Sequence, residues 1–184
     1  MNLLIDTAPD YIVVRGKKIK INTSFGVWVK FIVASKKDDA AMAQSALDEI
    51  FGKMPTESPQ EVMSQCLKWL YTETNKSNGN NSQSNGNSSV PFDFDVDGNV
   101  IYCELWEYFP HLMERGISYH EGMELIKLLM HNDDTMLWHR AFARCGDFSK
   151  MDKEQKKYWQ KQRAIWVIPN TDQQSIDDVF ATAF

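Results

Sequence analysis

A mainly α-helical fold with one small N-terminal β-hairpin is what this sequence predicts, and three observations predict it. Apolar residues recur at three- and four-residue spacing through about six to seven segments, the period of helices with one buried face. Most of these segments open on residues such as Asn22-Thr23-Ser24, Asp38 or Asp39, Ser58, Ser118 or Asp152, whose side-chain oxygens accept from the free N–H groups of a first turn. Runs rich in β-branched residues are confined to residues 11–14 and 19–21, around Arg15-Gly16-Lys17-Lys18, which fits a single hairpin with a glycine-containing turn.

Two strands alone are marginal in water, so the hairpin is expected to rest on the helices that follow. Phe25, Trp28, Val29, Phe31 and Ile32 give the first helix a broad apolar surface. Ala41, Met42, Ala46, Leu47, Ile50 and Phe51 give the second an amphipathic pattern that Gly52 ends. Ser58-Pro59-Gln60-Glu61 combines a capping box with proline at the first helical position, ahead of Val62, Met63, Cys66, Leu67, Trp69 and Leu70. Residues 72–91 are dominated by Ser, Asn and Gly, with almost no side chains able to pack, and read as a flexible linker. The expected organisation is therefore a hairpin with helices over residues 1–71, the linker, a helical lobe over 92–169 and an acidic, apolar tail over 170–184.

The helical lobe opens on PFDFDVDGNVIYCELWEYF, which carries two readings. As ligands, Asp93, Asp95, Asp97, Asn99 and Glu104 match the calcium loop of an EF-hand, with Gly98 at the sharp turn. The preceding Ser/Asn/Gly tract supplies no entering helix, however, so half of that motif is missing. In the other reading the aspartates open a helix from about Gly98 to Phe109, where carboxylates meet the positive end of the helix dipole and Pro110 stops the element.

Ser118-Tyr119-His120-Glu121 is a second capping box, and Tyr119, Met123, Ile126 and Met130 form one stripe of the helix it opens. Asn132-Asp133-Asp134-Thr135 breaks and recaps the chain before a helix carrying Met136, Leu137, Trp138, Ala141 and Phe142. Arg140 and Arg144, four apart on it, are expected on the solvated surface, where they can form a small basic patch. Asp152 begins a last helix ended by Pro169, with Tyr158, Trp159, Ile165 and Trp166 on one face. Its other faces hold Lys153, Lys156, Lys157, Lys161 and Arg163, a locally basic run in an acidic chain. In the tail, Ile176, Val179, Phe180 and Phe184 are placed to seek a hydrophobic groove.

Over 184 residues the formal net charge is −5, which argues against global attraction to nucleic acid or to an anionic membrane. No apolar run approaches bilayer-spanning length, and the first residues lack a basic secretory start. Cys66, Cys103 and Cys145 are odd in number and far apart, and read as small buried hydrophobes in place of a disulfide or zinc set. His120-Glu121 begins like a zinc-protease helix, but Glu124 stands where the second histidine is required. With no phosphate loop or catalytic triad either, the reading is a protein without enzymatic activity or cofactor.

FDFDVDGNVIY, followed by RCGDFSKMDKEQKKYWQKQRAIWVIP and preceded by INTSF ahead of Trp28, resembles the bacteriophage gene-product-fifteen family of tail-gene proteins from long-tailed phages and prophages of Gram-positive bacteria. The resemblance spans about residues 3–169, with its motifs in residues 21–28, 92–102 and 144–169. The Ser/Asn/Gly tract is longer than is usual there, and an aromatic signature expected near residues 119–124 is absent. It implies a tail-assembly protein, chaperone-like, that binds the tape-measure protein, the tail-tube subunits or both. It also implies residence in the cytoplasm of the bacterial host, absence from the mature virion and scope for self-association. Contacts are expected through Arg144, Lys153, Lys156, Lys157 and Lys161 together with Ile176, Val179, Phe180 and Phe184.

Overall fold

Eight helices and one two-stranded antiparallel sheet are present among residues 9–71 and 90–169, which the computed structural model describes. They group into two compact units: residues 9–71 with 116–122, and residues 90–115 with 123–169. The first unit thus takes in a short piece of later chain as well as the described residues before the low-complexity tract. Most of that tract, and the whole tail at 170–184, lie outside the described residues.

In the first unit β1 (Tyr11–Val14) pairs with β2 (Lys17–Lys20) in the register Tyr11↔Lys20 to Val14↔Lys17. The second strand starts two residues earlier than expected because the turn needs only Arg15 and Gly16, both at positive φ, 49° and 78°. That is the backbone of the tight hairpin turns that match strand twist. Ile12 and Val14 are buried, and β1 packs on α3 (Pro59–Tyr71), as the marginal hairpin requires. Ion pairs Arg15–Glu61 and Lys17–Glu57 border this contact. Because Glu61 turns to Arg15 and the Ser58 hydroxyl turns to Gln60, the first capping box does not form.

α1 (Phe25–Lys36) packs on α2 (Ala40–Phe51), which Asp39 caps by accepting from the Met42 N–H at 2.9 Å and Gly52 ends at φ 66°. Trp28, Phe31, Leu47, Ile50 and Trp69 form the core with Trp28 and Trp69 stacked 4.5 Å apart, and each indole N–H is satisfied by a carbonyl, of Asn22 and Pro9 respectively. Residues 23–25 and 117–119 pair like a scrap of sheet: the Tyr119 N–H donates to Thr23 at 2.7 Å and the Phe25 N–H to Ile117 at 3.0 Å. Here the second capping box does form, since the Ser118 N–H and hydroxyl both donate to Glu121 at 2.9 Å. His120, in the first turn of the helix this box opens, is buried with Nε2 3.0 Å from the Trp69 carbonyl.

α6 (Tyr119–Leu129) begins in the first unit and runs into the second. The second unit also holds α4 (Phe94–Tyr108), α5 (Pro110–Arg115), α7 (Met136–Cys145) and α8 (Lys153–Ile165). α4 packs on α5 and α7, and α7 on α8. Pro110 opens α5 where a stop was expected, because proline fits the first turn of a helix, and this supplies the helix beyond the seven foreseen. No helix among the described residues is long and apolar enough to cross a membrane.

Candidate partner-binding surface

The acidic run before Gly98 is helix, not loop. Asp93 is the N-cap of α4 and accepts from the Asp95 and Val96 N–H groups at 2.9 and 3.1 Å, so α4 starts four residues before the expected Gly98. Asp97, one turn in, is fully buried and meets two guanidinium groups: Arg140 at 2.7 Å, and Arg144 at 2.6 and 3.0 Å. Burial pushes its carboxyl up, but the bonds from Arg144 and Arg140 outweigh it and hold the group below the usual range.

This overturns the surface-patch expectation for Arg144. Its side chain is 4% exposed, and it also donates to the carbonyls of Pro91 at 3.1 Å and Trp166 at 2.6 Å. Arg144 is a structural clasp and not a contact residue. The signal was available: an Arg pair four apart on α7 and one aspartate on the inward side of α4 are complementary, once both are seen as helices.

The remaining calcium-pattern residues do not converge either. Glu104 is buried and accepts from the Met136 and Leu137 N–H groups at the start of α7, acting as a cap from another helix. Burial raises its carboxyl above the usual value despite those two bonds. Asp95 and Asn99 stand exposed on the outer side of α4. Among the described residues no group of three or more His, Cys, Asp or Glu is placed to hold a metal ion. The spacing that imitates a calcium loop arises because capping, ion pairing and inter-helix capping each place a carboxylate on α4.

On α8, Asp152 caps the first turn by accepting from the Gln155 N–H at 2.8 Å. The helix ends at Ile165 with Trp166 as its C-cap, and the Trp166 carbonyl accepts from Arg144. The four-residue apolar face divides. Trp159 and Trp166 are half-buried, and Trp159 lies 4.8 Å from Phe142 in a cluster with Trp138 and Phe148. Tyr158 and Ile165, one residue before each, are 52% and 58% exposed, joined by Val167 at 63%. A 100° step per residue is enough to carry the neighbour of a half-buried position out of the contact.

Arg163, itself exposed, folds back on α7, donating to the carbonyls of Ala143 at 2.6 Å and Gly146 at 2.8 Å with its guanidinium over Phe148. Lys153, Lys156, Lys157 and Lys161 remain exposed, with Lys156 near enough to Asp147 to help Ser149 hold that carboxyl low. Lys153, Lys157 and Lys161 fall at i, i+4 and i+8, a single outer stripe. Ile176, Val179, Phe180 and Phe184 lie outside the described residues.

A second exposed surface was not foreseen. Tyr102, Trp106 and Tyr108 on α4 are 59%, 37% and 39% exposed. Asp97, Ile101, Glu104 and Leu105 take the inward positions, leaving Tyr102 and Trp106 on the opposite side. No family model matches this chain, and no curated protein and no solved structure matches it.

Proposed function

We propose that this chain is a chaperone-like protein of phage tail assembly that binds the tape-measure protein, the tail-tube subunits or both, and makes and breaks no covalent bond. The observation that carries the reading is the outer side of α8 and the residues just after it, where Tyr158, Ile165 and Val167 stand more than half exposed beside the lysine stripe. Arg163 and Arg144 fasten α8 and its C-terminal end through backbone carbonyls, so this apolar and basic surface is held in place before a partner arrives. The motif resemblance at residues 21–28, 92–102 and 144–169 supplies the identity of the partner.

A tape-measure protein is a long helical chain whose apolar faces aggregate unless covered until the tube encloses them. Reversible cover by exposed aromatic and aliphatic groups, with lysines steering acidic flanks, fits that need. On this reading the protein works in the host cytoplasm and leaves before the virion is complete. Co-expression with the tape-measure protein of the same phage tests it. The expected result is a co-purifying complex and a larger soluble fraction of tape-measure protein, both reduced by Tyr158→Ala with Ile165→Ala. No co-purification and no gain in solubility overturns it.

A further inference from the structure

Two outward surfaces of the second unit have opposite character. Residues 91–110 carry five acidic side chains and no Lys, Arg or His. Two of them, Asp97 and Glu104, are buried against α7, but Asp95 and Glu107 are exposed, Asp95 on the same side of α4 as Tyr102 and Trp106. Asp134, in the turn ahead of α7, is also exposed and close to Tyr108. Burial first, then the charges of Glu107, Asp134 and Glu104, raises the Tyr108 phenol above its usual value, which marks the C-terminal end of α4 as negative.

α8 is the converse. Lys153, Lys157 and Lys161 run along its outer side with only Glu154 among them, and Tyr158 and Ile165 flank them. The periods match: Tyr102 and Trp106 are four residues apart on α4, as are Lys157 and Lys161 on α8, so each pair is separated by about 6 Å along its axis. Ammonium groups are attracted to indole and phenol faces, most strongly where carboxylates rim them. α7 packs against both helices, so the two surfaces belong to one group of helices.

We propose that the lysine stripe of α8 docks on the acidic aromatic surface of α4 in a second copy of this chain, giving reversible self-association. Complementary charge selects this occupant: both surfaces are exposed in the single chain, and each is the chemistry that the other lacks. The contact closes into a reciprocal pair or extends head to tail, according to the rotation between copies.

The test uses the purified chain alone, so its outcome is separate from that of the tape-measure experiment. Sedimentation velocity over micromolar concentrations is expected to show reversible association that weakens between low and high salt, since the ion pairs are at the surface. Lys153→Glu with Lys157→Glu and Lys161→Glu, and separately Glu107→Lys with Asp134→Lys, are each expected to weaken it by roughly tenfold or more. A mixture of the two variants restores association, because α8 of one then meets α4 of the other with opposite charge. Unchanged circular dichroism and melting temperature show that both variants are folded. A wild-type chain that stays monomeric at low salt, association unaffected by either variant, or a mixture that fails to associate overturns the proposal.

Discussion

Asp97 is the side chain on which the second unit most depends, because two guanidinium groups and the start of α4 meet at one buried carboxylate. Asp97→Asn leaves Arg144 buried without its counter-charge and is expected to cost about 3–5 kcal/mol, read from urea unfolding at neutral pH. A carboxyl held below its ordinary 3.8 stabilises in full above that value and loses the contribution as pH falls through the lower folded value. The gap between wild type and Asp97→Asn should therefore close only in strong acid. Glu104 has the opposite sign: raised above 4.5, it favours the fold most below that pH and loses the benefit as pH rises through the folded value. Glu104→Gln should accordingly gain on wild type as pH climbs from 4.5 toward neutrality. The cysteines divide in a way that composition did not indicate, with Cys66 buried and its thiol pushed up to about 12, while Cys103 and Cys145 are exposed. A thiol reagent should label those two in the folded protein and reach Cys66 only on unfolding.

Helix ends and close approaches decide stability at the scale of elements. Thr135 caps α7 by accepting from the Trp138 N–H at 3.1 Å while its buried hydroxyl reaches the Leu129 carbonyl at 2.7 Å. Thr135→Val keeps the shape but loses both bonds, and should cost about 1–2 kcal/mol in melting experiments. Gly122 on α6 lies under the Phe25 ring, where an added Cβ would meet a ring carbon at 2.2 Å. Gly122→Ala should therefore destabilise the first unit by about 1–3 kcal/mol despite the better helix propensity of alanine. Elements of this kind were legible wherever a local rule acts alone: the Asp39 and Asp152 caps, the Gly52 stop and the Ser118–Glu121 box all follow from a few neighbouring residues. What was not legible required a distant partner. Glu61 left its expected box for Arg15, Arg144 left the surface for Asp97, and Tyr158 and Ile165 were separated from Trp159 and Trp166 by the position of α7. Periodicity ranks the faces of a helix but does not say how wide the covering neighbour is.

For the whole molecule, the two proposals share α8, and a shared surface makes them competitive. If the same stripe meets either a second copy or a tape-measure helix, adding the latter should shift the sedimentation boundary from the associated form to a one-to-one complex. Independent surfaces would leave the copies associated in the complex.

Arg144 joins the front and the back of the second unit, since one guanidinium bonds the Pro91 carbonyl ahead of α4 and the Trp166 carbonyl behind α8. Tension entering the chain from either side of residues 90–169 is thus delivered to the same side chain. Neither terminal helix can peel away until that knot gives, so under load the unit should rupture in one step, with Arg144→Met turning it into a gradual unzipping.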